Sequence, residues 1–289
     1  MLHITDTHLH LWDLSRFKLP WLSAVAELNH DVNWQDYHAL VNQDAWCIDR
    51  ALYVEVDVAP EQRGEESLFL QELCSDPGNF VEGGIISLDM QRPEAVARWL
   101  ARGEHHPAVK GVRHVLHVAS QPSGACLTSD FINNVNALGN AGLCFEICLR
   151  NEDLADAVQL AERTSTTLVL NHMGNVDSAR LKEEASYAAN WRRNLSALAQ
   201  QRHVWCKVSG VNIPAGSDSD RVRPVVEQCL ETFAADRVVF ASNYPVCSLS
   251  TGLIPWVNTL VRITDGQGRT WQQRFFSHNA QQLYRLAEA

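Results

Sequence analysis

Leu143-Cys144-Phe145-Glu146-Ile147-Cys148-Leu149 is a short apolar run, Asn151-Glu152-Asp153 opens a helical pattern reaching Arg163, and Thr167-Leu168-Val169-Leu170-Asn171 is a second apolar run. Runs this short and this continuous in apolar character read as strands buried on both faces, which is how parallel strands covered by helices look. The segment between them carries apolar residues at three- and four-residue spacing, and Asn151 with two acids suits the positive end of a helix. The unit is therefore strand, helix, parallel strand.

The same unit repeats in both directions along the chain. Upstream strands are expected at Leu2 to His10, Ile48 to Val56, Val81 to Leu88 and Val109 to Val115, and downstream ones at Val204 to Val208 and Arg237 to Ala241. Helical patterns fall at Trp34 to Asp44, Pro60 to Ser75, Pro93 to Arg102, Asp130 to Ala141, Tyr187 to Gln201 and Arg221 to Ala235. Pro93 is expected in a first helical turn, where its missing N–H costs nothing. Two further helices, Leu253 to Ile263 and Trp271 to Leu286, follow the last strand. Eight alternations without a break in composition predict an α/β fold, a (β/α)8 TIM barrel, with residues 1–289 as one domain.

Composition limits the function classes. The 289 residues are 46% hydrophobic and 20% charged, which supports a sizeable core and excludes a disordered chain. A net charge of -10 argues against nucleic acid and anionic membrane as partners and leaves a small molecule as the expected one. The eight cysteines form no Cys-x-x-Cys pair, and Cys144 and Cys148 read as buried apolar side chains. Reduced thiols, no long apolar segment and no signal-like N-terminus make a cytoplasmic location the expectation. A homo-oligomer is compatible with all of this.

In a barrel the catalytic groups belong at the C-terminal ends of the strands. Ile4-Thr5-Asp6-Thr7-His8-Leu9-His10 places Asp6, His8 and His10 on one face of strand one, with the imidazoles about 6–7 Å apart along the backbone. Such a pair suits one metal ion or one substrate oxygen. Lys110, Arg113 and His114 lie on strand four, Glu146 on strand five, His172 after strand six, Lys207 on strand seven, and Asn243 and Tyr244 after strand eight. A lysine or a carboxylate in an apolar strand needs a partner or a purpose.

Five motifs in order give the chain a family resemblance. Asp6-Thr7-His8-Leu9-His10-Leu11-Trp12-Asp13, Lys110-Gly111-Val112-Arg113-His114, Asn171-His172-Met173-Gly174, Lys207-Val208-Ser209-Gly210 and Ser242-Asn243-Tyr244-Pro245-Val246 resemble the amidohydrolase superfamily, and within it the lactonase-like branch of amidohydrolase-related family 2. The resemblance runs from Ile4 to Asn279-Ala280 and Tyr284-Arg285-Leu286. It implies a hydrolase that opens a small sugar-acid or related lactone by attack of water. His8, His10 and His172 would hold one divalent metal, zinc foremost, or grip the carbonyl oxygen with no metal. His8, His10, Glu146, His172 and Asn243 are then the catalytic set, and Trp12, Lys110, Arg113, His114, Lys207 and Tyr244 the substrate-binding set.

One departure stands out. Where much of the family has Gly-Ser-Asp-Trp-Pro after strand eight, this chain has Ala241-Ser242-Asn243-Tyr244-Pro245, and Asn171 replaces a second frequent aspartate. An amide cannot accept a proton, and general-base help is worth about 10²–10⁴ in rate. Glu146, His172 or His114 is expected to take over as base. A decarboxylase of aromatic or muconate-type acids, and a barrel that binds without turnover, are the alternatives. Substrate stereochemistry is expected to be read by loops such as Gln121 to Thr128 and Pro214 to Asp220.

Overall fold

The computed structural model describes residues 1–103, 105–210 and 222–287, so Arg221 and the loop Pro214 to Asp220 lie outside the described residues. Eight parallel strands follow one another in chain order: β1 Leu2–Leu9, β2 Trp46–Val54, β3 Val81–Ser87, β4 Val109–Leu116, β5 Cys144–Leu149, β6 Leu168–Leu170, β7 Val204–Val208 and β8 Val238–Phe240. Each coincides with an expected apolar run to within about two residues, because a strand covered on both faces has no polar alternation to blur its limits.

The sheet closes where β8 meets β1. Leu9 pairs in parallel with Tyr244, the Asn243 N–H donates to the His8 carbonyl at 3.0 Å, and the His10 N–H donates to the Tyr244 carbonyl at 2.9 Å. Asp6 adds a stitch: its carboxylate accepts from the backbone N–H groups of His8 and Ser242 and from the Tyr37 hydroxyl. Asp6 therefore holds the seam and does not join His8 and His10 on a common face. The register of β1 against β2 shifts between Asp6 and Leu9, which turns the two imidazoles away from the strand's earlier parity.

Helices cover the barrel at Arg63–Ser75, Ala95–Ala101, Ser129–Asn140, Leu154–Arg163, Ala185–Gln200, Arg223–Phe233 and Leu253–Thr264. Several expected limits move. The run from Trp34 is helical only to His38. Pro93 precedes its helix instead of opening it, because Glu94 sits at φ 55° and helical geometry begins at Ala95. Asn151 caps no helix; it starts a 3-10 turn and its Nδ2 donates to the Gly174 carbonyl at 2.9 Å. The final helix is broken into Arg269–Gln273, a π-helical turn Arg274–His278 and Asn279–Tyr284.

That last segment plugs the barrel. Ala280, Tyr284 and Leu286 pack with Leu52, Val54, Ile85, Cys144, Val169, Trp205 and Val239, all drawn from the strands' inner faces. The other core lies between strands and helices. Among the described residues no helix is long and apolar enough to cross a membrane.

Candidate active site

A chain of buried polar groups rises through the barrel from this plug. The Tyr284 hydroxyl donates to Glu146 Oε1 at 2.8 Å, and Asn171 Nδ2 donates to Glu146 Oε2 at 2.9 Å. Lys207 Nζ lies 2.6 Å from Glu146 Oε1, donates to the Thr7 carbonyl at 2.6 Å and faces His8 Nδ1 at 3.4 Å. His8 Nε2 is 3.1 Å from His10 Nε2, and His10 Nδ1 is 2.8 Å from the Val54 carbonyl.

A carbonyl can only accept, so His10 carries its proton on Nδ1. His8 meets a donor-only cation at each nitrogen, the Lys207 ammonium at Nδ1 and the Arg113 guanidinium at Nε2. Both rings are neutral. Burial, followed by the charge of Lys207, holds His8 well below the usual histidine range, and burial with Arg113 brings His10 down to about 3. Burial, Arg113 and Lys207 likewise hold His172 well below its ordinary value.

Arg113 is fixed by Glu55. Its Nε donates to Glu55 Oε1 in a short contact and its Nη2 to the Glu55 carbonyl at 2.7 Å, while Nη1 lies 3.3 Å from His8 Nε2. Burial opposes the charge on Arg113, but the Glu55 carboxylate more than offsets it and keeps the guanidinium protonated. The other Glu55 oxygen accepts the Asp57 N–H at 2.8 Å and shapes the turn in which Asp57 has φ 53°.

Above this network opens a cavity of about 340 Å³, within the range of small-molecule sites. Of the residues singled out from sequence, His10, Arg113, His172 and Asn243 line it. A larger groove of about 660 Å³ runs outside the barrel between the helices Arg63–Ser75 and Ala95–Ala101, away from the strand-end histidines.

The remaining sequence assignments need correction. Glu146 and Lys207 are fully buried and saturate each other below the cavity, so Glu146 is not a free base and Lys207 is not a free hand for substrate. His8 lies in the same buried layer. His114 follows inward-facing Arg113 and so points to the helix layer, where it packs on Phe131 and accepts the Met90 N–H. Lys110, with the same parity and at the N-terminal end of β4, sits beside Gly83 at the opposite end of the barrel. Trp12 is buried with its indole N–H on the His30 carbonyl, and Trp21 beside it lines the cavity instead. Tyr244 packs on Tyr37.

Sequence reasoning missed Glu55, Asp57, His117 and Cys148. Asp57 is the one carboxylate among the described residues lining the cavity, and burial with the nearby Glu55 raises its pKa. The signal was present: Tyr53-Val54-Glu55-Val56-Asp57 is acid in an apolar strand end, the same criterion that selected Glu146.

Two imidazole nitrogens on a tetrahedral zinc, each about 2.0–2.1 Å from it, stand roughly 3.3 Å apart, and the His8–His10 pair alone is close to that. The rest does not fit. Lys207 occupies His8 Nδ1, the nitrogen that a metal-binding histidine would turn to an acceptor, and Arg113 Nη1 stands 3.3 Å from Nε2, where the ion would bind. His172 brings no nitrogen within 4.8 Å of both others; among the described residues the set that meets this limit is His3, Cys47 and Asp49, at the N-terminal ends of β1 and β2. Asn243 supplies no negative charge, and Arg113 adds a positive one. The His8, His10 and His172 set does not fit a resident ion.

Eight strands carrying convergent charged and neutral donors into one strand-end cavity define a barrel enzyme that acts on a small molecule. The amidohydrolase family model matches residues 5–286, and the chain belongs to that family. It is 27% identical over 303 residues to the uncharacterized protein y4mH of Sinorhizobium fredii, covering 98% of each chain. It is 27% identical over 256 residues to an L-fucono-1,5-lactonase of Burkholderia multivorans, covering 85% of this chain and 83% of that one. An amidohydrolase from Burkholderia multivorans solved with bound zinc shares the fold, with a TM-score of 0.85 and 23% identity over 98% of this chain and 99% of that one.

Proposed function

We propose that this chain opens a small, oxygen-rich sugar-acid lactone by hydrolysis, with all of residues 1–289 serving one barrel. The observation that carries this reading is the meeting of one fixed cation, Arg113, one carboxylate of raised pKa, Asp57, and the neutral imidazoles of His10 and His172 on one cavity. Similarity to L-fucono-1,5-lactonases supports the substrate class.

Arg113 faces the lactone carbonyl oxygen and stabilises the charge that grows there as water adds. It costs no reorganisation, because Glu55 already holds it. Asp57 takes the proton from water; its raised pKa brings it nearer the working pH, where a base is most effective. The water oxygen bonds to the carbonyl carbon, the ring C–O bond breaks, and the proton held on Asp57 passes to the leaving alkoxide. His172, whose Nδ1 is tied to Ser209 Oγ at 2.8 Å, and Asn243 orient the substrate. No step needs a metal.

The test is a pH-indicator screen of aldonolactones, L-fucono-1,5-lactone included, run on the wild type and Asp57→Asn. Turnover of at least one lactone is expected, with kcat lowered about 10²–10⁴-fold in the variant and KM little changed. No turnover of any lactone by folded protein overturns the reading; full activity of Asp57→Asn overturns the assigned base.

A further inference from the structure

On the far wall of the cavity Cys148 Sγ lies 3.2 Å from His117 Nδ1, and the two residues stand on neighbouring strand ends, Val115 being the register partner of Cys148. The lactonase chemistry uses neither side chain. We propose that Cys148 and His117 form a nucleophilic dyad, reached from the cavity, that is a covalent modification site for small carbon electrophiles bearing a leaving group.

Three features beyond the pair's own contact support this. Arg113 lines the same cavity from β4 and Asn175 Nδ2 approaches Cys148 Sγ at 3.9 Å from the segment after β6, so a developing sulfur anion has a cation and a donor nearby. Asp57, from the turn after β2, faces His117 and favours its protonated form. Although burial opposes a thiolate at Cys148, His117 and Arg113 bring its pKa below the ordinary cysteine value, and Cys148 in turn raises that of His117. Thiolate character, not exposure alone, sets cysteine reactivity.

Cys74 is the internal control. It alone of the eight cysteines is not buried, yet its thiol is pushed up to about 11 by desolvation, with no histidine beside it. The reaction with iodoacetamide is simple: the S–C bond forms as the C–I bond breaks, iodide leaves with its electron pair, and the thiol proton remains on His117.

Brief alkylation of the native wild type with iodoacetamide at pH 7, read by peptide mass mapping, is expected to label Cys148 before Cys74. His117→Gln, shown to be folded by circular dichroism, is expected to slow labelling of Cys148 by about tenfold, the effect of one pKa unit. Labelling of Cys74 first, labelling of Cys148 only in urea, or an unchanged rate in His117→Gln overturns the proposal. The readout is mass, so it stands apart from whether any lactone is turned over.

Discussion

Lys207 Nζ and Glu146 Oε1 are 2.6 Å apart with both side chains wholly buried, and a residue 138 positions further along the chain, Tyr284, completes the shell of Glu146. Breaking one half of such a pair leaves a charge without compensation. Glu146→Gln is expected to lower unfolding free energy by about 3–5 kcal/mol in urea titrations. Tyr284→Phe is expected to lose about 1–3 kcal/mol, and the double variant less than the sum because both act on one network. Strict additivity would show that the hydroxyl and the ion pair are independent.

Gly210 tests the position of His172. It has φ 68°, and a Cβ there would lie 2.6 Å from the His172 ring. Gly210→Ala is expected to push the imidazole off Ser209 and reduce lactonase kcat by about 10²-fold, the scale of an ångström-sized misplacement. An unchanged kcat would remove His172 from the reaction.

Acid should weaken the fold early. His8, His10 and His172 stay neutral when folded but bind protons below about pH 6.5 when unfolded. Their contribution is intact above that pH and is lost as pH falls toward their folded values, about 3 for His10, at about 1.4 kcal/mol per pH unit for each ring. His114 and His203, also lowered by burial, add to the fall, whereas His117 and the carboxyls of Glu66, Asp57 and Glu82, all raised, work in the opposite direction. Thermal unfolding followed from pH 7.5 to 4.5 should show a steady fall in Tm; a flat profile would mean that the three rings titrate normally.

The two cations set against His8 carry a metal prediction. Activity is expected to survive EDTA, and elemental analysis to find far less than one zinc per chain. Asn243→Asp restores a carboxylate but leaves Lys207 against His8 Nδ1, so it too should fail to acquire stoichiometric zinc. One zinc per chain in either protein would refute the misfit of this donor set.

The strands were legible because each is a short run buried on two faces, and their order followed from alternation with helices. The site was half legible. Parity separates Arg113 from Lys110 and His114, since neighbours on a strand face opposite ways, but only the closed barrel shows which face is inward. Glu146 was recognised as a buried acid, but its partners Lys207 and Tyr284 lie far along the chain, so nothing local distinguished a saturated carboxylate from a base. Asp57 escaped because its turn follows the strand, and Cys148 because a cysteine in an apolar run looks like a small hydrophobe until His117 is placed beside it.

The plug formed by Ala280, Tyr284 and Leu286 also sets an order of events during synthesis. A ribosome emits this segment only after all eight strands have emerged, and Glu146 receives the Tyr284 hydroxyl only then. A nascent barrel therefore holds Glu146 and Lys207 in an unfinished interior until the plug arrives.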